Sequence, residues 1–343
     1  MEFYNNSESK VYIIAEVGQN HQGDLDTALR YIEIFSQAGA NAIKFQVRSN
    51  KYLFHNDAYD NIYNSENSFG KTYGEHREAL ELKLEWLPII KNKCREYKVD
   101  FMATAFDEIS LENLCNAKVD ALKIASFDIG NLSFIQKIAQ KNLPIFLSIG
   151  GGKEDQISDS IELLLRYNKN INVLHCVSEY PCPAENLNLT NIKILMKKFP
   201  NCKVGLSDHF SGILSGPLAY MLGARVFEKH VTLNRSLKGS DHHFSLEQEG
   251  FRKFVRDIKR VPLMLQKTDN SKLGKEKVFE RLGKSIVASK KLYKGDTVKI
   301  NDLTGKIFLK QIIPIRESNN IIGKKLKRDV TEGKPINMSD LIE

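Results

Sequence analysis

The sequence predicts an α/β fold: a parallel (β/α)8 TIM barrel followed by a small β-rich domain. Three observations carry this expectation. Short apolar runs rich in β-branched and aromatic residues recur eight times over about 250 residues, separated by helical patterns. Polar residues gather at the ends of these runs, as they do where parallel strands converge on one mouth. Beyond about residue 267 the texture changes to short β-like runs and turns. An open doubly wound sheet is the alternative. It would normally carry a glycine-rich phosphate fingerprint after the first strand, and Gly18-Gln19-Asn20-His21 does not fit one.

The first strand is expected over residues 11–17, an apolar run read as a buried parallel strand. Asp24 caps the helix that follows. Leu25, Ala28, Leu29, Ile32 and Phe35 keep helical spacing, and Gly39 ends it. The second strand covers 42–47. Residues 48–74 are long, polar and aromatic-rich. A loop of that length in a compact domain is usually functional, and its place after the second strand suggests a lid over the mouth. Further strands are expected at 100–106, 121–126, 144–149, 171–177, 204–209 and 226–230, with helices such as 157–165 and 214–222 between them. The domain plan is therefore a barrel over 1–267, a polar linker over 268–281 and a β-rich domain over 282–343. The last is near the lower size limit for independent folding and is expected to lean on a partner surface.

Composition excludes several classes. The 343 residues carry apolar and charged fractions ordinary for a soluble globular protein. Residues 1–10 are polar and lack the apolar core of a signal peptide. No apolar run is long enough to span a bilayer. The five cysteines (94, 115, 176, 182, 202) form no CxxC, which argues for a reducing, cytoplasmic setting. The net charge of +8 suits anionic partners. However, the basic residues are dispersed and no aromatic-interleaved basic motif is present, so no nucleic-acid or membrane partner is expected.

The strand ends carry the chemistry. His209 and His230 close successive strands, and two neutral imidazoles at one mouth can share a divalent cation. Water, a carboxylate or substrate oxygens would complete its shell, which makes an open, catalytic type of site. Lys44 and Lys123 lie inside strands, where a charge is costly unless it meets an anion. With Thr104, Ser126, Ser148 and Ser207 they form a cradle for a phosphate or carboxylate, and Gly150-Gly151-Gly152 lets backbone approach that anion. Glu16, Gln46, Asp128, Tyr180 and Glu228 stand at the same ends.

In their order along the chain, Ile14 to His21, Ile43 to Gln46, Lys123 to Ser126, Gly205 to His209, Glu228 to His230 and Gly239 to His242 resemble the motifs of the sialic acid synthase family. Residues 281–289, Lys294-Gly295-Asp296 and Ile322 to Lys325 resemble its antifreeze-like (SAF) domain. The resemblance implies condensation of phosphoenolpyruvate with an N-acetylated sugar such as N-acetylmannosamine, giving a nine-carbon 2-keto acid. It implies manganese or magnesium on His209 and His230. It assigns phosphoenolpyruvate to Lys44, Thr104, Lys123, Ser126, Ser148 and Ser207, and the sugar to Glu16, Gln46, Tyr180 and Asp241. It also implies a domain-swapped homodimer, in which the small domain caps the partner's mouth.

Glu16 or Asp128 could move the protons. Asp128 stands where the family usually has Glu, and Ser178 where it has Asn. The small domain's Arg-Pro-Gly has no clean match, with Lys310 and Arg316 nearest, and His21 receives no role. A Schiff-base aldolase using Lys123 or Lys44, and a non-catalytic sugar-binding protein, are the rival readings.

Overall fold

A computed structural model describes residues 10–267 and 269–342. The polar N-terminal residues 1–9 and Thr268 of the expected linker lie outside the described residues. Two compact units divide the chain, one ending at Leu265 and the other beginning at Gln266.

The first unit is a closed barrel of eight parallel strands: β1 (Tyr12–Gly18), β2 (Ala42–Val47), β3 (Asp100–Ala105), β4 (Ala121–Ile124), β5 (Ile145–Ser148), β6 (Ile171–Cys176), β7 (Lys203–Asp208) and β8 (Val226–His230). Pairing of β1 with β8 closes it, with Glu16 opposite His230, so the doubly wound alternative is excluded. The strands are buried on both faces, which explains why they read as apolar runs rather than alternating ones. Five expected strands end earlier, β3, β5, β6 and β7 by one residue and β4 by two. β4 stops at Ile124 because Ser126–Asp128 turn into a 3-10 helix, and β7 stops one residue before His209.

Helix α1 (Leu25–Gln37) begins as read: Asp24 accepts the Thr27 amide at 2.7 Å. The segment after β2 is not a plain loop. It holds α2 (Asn50–Leu53), α3 (Asn56–Tyr59) and α4 (Tyr73–Leu80), the last opened by a Thr72/Glu75 capping box. Helices α5 (Leu87–Glu96), α6 (Glu108–Asn116), α7 (Leu132–Ala139), α8 (Glu154–Tyr167), α9 (Asn191–Lys198), α10 (Ser215–Met221) and α11 (Gln248–Met264) complete the outer layer. The main core lies between strands and helices. A second cluster fills the barrel floor, with Tyr12, Ile14, Met102, Phe146, Leu174 and Val226 among its members. No helix among the described residues is long and apolar enough to cross a membrane.

The second unit has its own core, including Ile286, Leu292, Ile321, Leu326 and Ile336. It contains α12 (Lys277–Leu282), β9 (Lys284–Ala288), β10 (Leu303–Ile307), β11 (Lys325–Leu326) and β12 (Leu341–Ile342), with β9–β10 and β11–β12 antiparallel. The expected linker is thus partly helical. Arg316 anchors it, stacking 4.9 Å over the Phe279 ring and donating to the Gly274 carbonyl at 2.5 Å.

Candidate active site

The side-chain layer above the barrel floor is polar. One step beyond Ile14, Ala42, Met102, Phe146 and Val226 along their strands stand Glu16, Lys44, Thr104, Ser148 and Glu228, each almost fully buried. Interior layers of such barrels are usually apolar. A charged layer at the C-terminal ends is costly unless its charges are paired, and here they are. Lys44 Nζ lies 2.8 Å from Glu16 Oε2 and 3.4 Å from Glu228 Oε1, and donates to Thr104 Oγ1 at 3.2 Å. Lys123 Nζ lies 3.2 Å from the same Glu228 oxygen, which also accepts from Ser207 Oγ at 3.2 Å.

Burial favours a neutral Glu228, but Lys123, Lys44 and His230 override it and hold the carboxyl well below its ordinary range. Burial likewise opposes charge on Lys44, and Glu16 and Glu228 more than offset it, so its pKa is raised. On Lys123 burial wins, with the Lys44 charge adding to it, and the pKa falls.

This layer floors a cavity of about 300 Å³. Among the sequence-predicted residues, Glu16, Lys44, Gln46, Thr104, Lys123, Ser126, Ser148, Tyr180, Ser207, His209, His230 and Asp241 all line it. Asp128 does not line it. The early end of β4 sends Phe127 to the rim instead, and the Asp128 carboxylate accepts from Asn131 Nδ2 at 3.0 Å, within its own turn. Burial raises the Asp128 carboxyl. The triple glycine also serves packing, since a Cβ on Gly150 would lie 2.5 Å from Ser178 Oγ. Lys310 and Arg316 belong to the second unit, where Lys310 is exposed and Arg316 is held by its own segment.

The imidazoles of His209 and His230 face each other with ring centroids 5.5 Å apart. His209 Nδ1 donates to the Val177 carbonyl at 2.7 Å, which leaves Nε2 with a free lone pair. His230 Nδ1 is buried with no hydrogen-bond partner, 3.6 Å from Asp241 Oδ2. Burial keeps His230 below its usual pKa, as a ligand requires. On His209 burial acts the same way, but Cys176, Val177 and Asp208 together outweigh it. Tyr180 covers His209 at 4.1 Å between centroids. Among the described residues no cluster of three or more His, Cys, Asp or Glu side chains encloses a cation. The donor set is two imidazoles, so any bound cation would keep positions open.

On the β1–β2 side, Gln46 Nε2 donates to Glu16 Oε1 at 2.8 Å, and Arg48 Nη2 to Gln46 Oε1 at 2.6 Å. A Cβ at Gly18, whose φ is +56°, would lie 3.3 Å from both Gln46 Nε2 and Glu16 Oε1 and 3.7 Å from Asp241 Oδ2. Only glycine leaves that corner open.

The lining residues that went unassigned in the sequence include the charged or amide side chains of Gln19, Arg48, Arg77 and Glu228. Glu228 was legible, because the period-two count back from His230 turns it inward. Arg77 was not, because it reaches the cavity from α4, within the excursion after β2.

A closed parallel barrel whose C-terminal mouth holds paired lysines, hydroxyls and two neighbouring imidazoles defines a (β/α)8 protein with a polar, charged cavity at the usual place of a barrel active site. Comparison with known proteins narrows the class. The model described as "NeuB family" matches residues 31–270, and the chain belongs to that family. It is 35% identical over 333 residues to the N-acetylneuraminate-9-phosphate synthase of Homo sapiens, across 97% of this chain and 92% of that one. It is 30% identical over 342 residues to the pseudaminic acid synthase of Campylobacter jejuni, across 98% of each. Among solved structures it resembles the N-acetylneuraminic acid (sialic acid) synthetase of Leptospira borgpetersenii, determined in complex with citrate. The TM-score is 0.70 at 30% identity, covering 82% of this chain and 96% of that one.

Proposed function

We propose that the protein is a nonulosonic acid synthase, condensing phosphoenolpyruvate with the aldehyde of an N-acetylated hexose to give a nine-carbon 2-keto acid and phosphate. The observation that carries this reading is the Lys44–Glu228–Lys123 layer under a cavity that also holds His209 and His230. Family membership and the names of its relatives support the reaction class.

Lys44 and Lys123, with Thr104, Ser126, Ser148 and Ser207, hold the phosphate and carboxylate of phosphoenolpyruvate. Ser148 Oγ is buried and unpartnered, as expected of a donor awaiting a ligand. Gln46, Tyr180 and Asp241 hold the sugar. The enol carbon forms a bond to the aldehyde carbon, whose oxygen takes up a proton. Water then adds at the resulting cationic carbon, the C–O bond to phosphate breaks, and the 2-keto group forms. Glu16 moves the proton, because its carboxylate lines the cavity and Asp128 does not. A manganese or magnesium ion on His209 and His230 would supply Lewis-acid polarisation of the aldehyde oxygen.

The working form is a domain-swapped homodimer in which residues 266–343 cap the partner's mouth. This part of the reading rests on the resemblance to the SAF domain. The compartment is the cytoplasm, in keeping with five free thiols.

The test is phosphate release and product mass with phosphoenolpyruvate, manganese and a panel of N-acetylated hexoses. Condensation that stops in chelator and returns with metal supports the reading. No condensation with any sugar in the presence of metal overturns it. A lysine aldolase would instead be trapped by borohydride, and the ion pair of Lys44 with Glu16, which favours its charged form, opposes that chemistry there.

A further inference from the structure

We infer that residues 266–343 act as an electrostatic collector, a unit of high positive charge that draws the anionic substrate phosphoenolpyruvate towards the barrel mouth. The inference rests on the synthase reading and on the capping proposed with it.

It begins with an uneven division of charge. Residues 1–265 carry 32 Lys and Arg against 32 Asp and Glu, so the barrel is formally neutral. Residues 266–343 carry 18 against 10, and the whole +8 of the chain lies there. The cavity adds little pull of its own. Lys44, Arg48, Arg77 and Lys123 line it, but so do Glu16, Glu228 and Asp241, and Glu81 stands 3.9 Å from Arg48 Nη1. A ligand with both a carboxylate and a phosphate therefore meets nearly balanced charge in the barrel. The excess lies in the second unit.

Local structure keeps that excess unpaired. Two segments of the unit run antiparallel, with Leu292 opposite Val330 and Thr297 opposite Lys325. One segment brings Lys290, Lys291, Lys294 and Lys299, and the other brings Lys324, Lys325, Lys327 and Arg328. Acids on the same segments are engaged by backbone. Asp296 accepts the Tyr293 amide at 2.8 Å, and Asp329 the Lys294 amide at 2.8 Å. Of the unit's cations only Lys290 and Arg328, paired with Asp302 and Asp340, have a carboxylate within 4 Å among the described residues. Every Lys and Arg of the unit except Lys324 is exposed.

Residue type selects a field over a docking site. Of the 18 cations 15 are Lys, hydrated point charges on flexible stems, whereas a built phosphate or carboxylate site uses the planar fork of Arg. Tyr293 is the only aromatic residue on the two segments, and the Lys291 ammonium lies 4.8 Å from its ring centroid. A run of stacking rings of the kind that holds single-stranded nucleic acid is therefore missing. Excess positive charge beside a cleft raises the local concentration of anions, by an amount that falls as salt screens it.

The experiment measures kcat and kcat/KM for phosphoenolpyruvate at saturating sugar and manganese, from about 20 to about 500 mM sodium chloride, over which the screening length shrinks from roughly 20 Å to roughly 4 Å. Wild type is compared with K291Q/K294Q/K325Q/K327Q, which halves the unit's net charge, and with K291E/K294E/K325E/K327E, which removes it. Cooperative melting establishes that both variants fold. At low salt kcat/KM should fall from wild type through the Gln to the Glu variant, by roughly tenfold across the series. The three should converge at high salt, with kcat unchanged throughout. Equal kcat/KM at low salt overturns the inference and leaves the synthase reading standing. A deficit that high salt does not erase, or one that falls on kcat, gives the lysines a structural role and also overturns it. Flat kinetics with tight, salt-sensitive binding of a DNA oligonucleotide by wild type would assign the charge to a polyanion instead. No condensation by wild type with any sugar overturns the synthase reading and the inference with it.

Discussion

Lys229 Nζ and Asp208 Oδ2 lie 2.7 Å apart with neither side chain exposed to solvent. Each residue immediately precedes a cavity histidine, Asp208 before His209 and Lys229 before His230. Strand alternation turns the pair outward and the imidazoles inward. Lys229 also donates to the Phe210 carbonyl, and Asp208 accepts from Ser215 Oγ at 2.5 Å and from the Phe210 amide at 3.0 Å. The ends of β7 and β8 are thereby clamped behind the site, which sets the spacing of the two rings.

Lys229→Met should expose the value of that clamp. Leaving Asp208 buried without its cation costs about 3–5 kcal/mol, and the two histidines lose their common frame. Both the melting temperature and the calorimetric affinity for manganese should fall. In Asp208→Asn/Lys229→Met the lone buried charge is gone, so part of the stability should return. Wild-type melting and metal affinity in Lys229→Met would show that the pair does not hold the site.

Lys123→Met should raise KM for phosphoenolpyruvate roughly tenfold to a hundredfold, the worth of one charge-assisted contact, with KM for sugar changing less. The Lys44–Glu16 contact of 2.8 Å remains to keep the layer folded. Initial-rate kinetics varying each substrate in turn decide this. An unchanged KM for phosphoenolpyruvate would make Lys123 structural.

How far the sequence could be read depends on how local each signal was. The eight strands were legible because each is a short apolar run with its own turn signals; eleven cavity residues followed from strand position, and Asp241 from the resemblance. Asp128 was misplaced because one residue of strand length decides which side chain reaches the mouth, and no pattern marks where β4 gives way to a 3-10 turn. Arg77 lay twenty-nine positions beyond Arg48, in a segment whose short helices are held by tertiary contacts rather than by periodicity. The Asp208–Lys229 pair was hidden for a related reason, since both residues sit in motifs where the neighbouring histidines draw the chemistry.

His21, which received no role from its motif, should act on stability. It is fully buried, its Nδ1 accepts the Gly23 amide at 3.2 Å, and its Nε2 has no partner. Burial lowers it to about 4 from 6.5, with Asp24 opposing. The folded imidazole is therefore neutral over a range where the unfolded chain binds a proton. Stability should fall as pH drops from about 6.5 towards about 4, by on the order of 3 kcal/mol, and level off below. Urea midpoints at pH 7 and 4.5 should differ less in His21→Gln than in wild type; His76, also lowered to about 4, titrates in both. An identical pH dependence would mean that His21 is charged in the folded protein.

The two compact units allow the proposed capping to be tested by complementation. The barrel unit is closed by β1–β8 pairing and filled by its own clusters, so a chain ending at Leu265 should still melt cooperatively. Its activity with sugar should be badly impaired, because the condensation passes through a cationic carbon that premature water would intercept, and a cap keeps that water out. A full-length His209→Ala chain should be inactive for a different reason, since it keeps the cap and loses an imidazole. Mixed, the two chains can form a dimer in which the intact barrel of one lies under the cap of the other, and some activity should return. Mass spectrometry under native conditions establishes that mixed dimers exist. If they exist and remain inactive, residues 266–343 serve their own barrel or none.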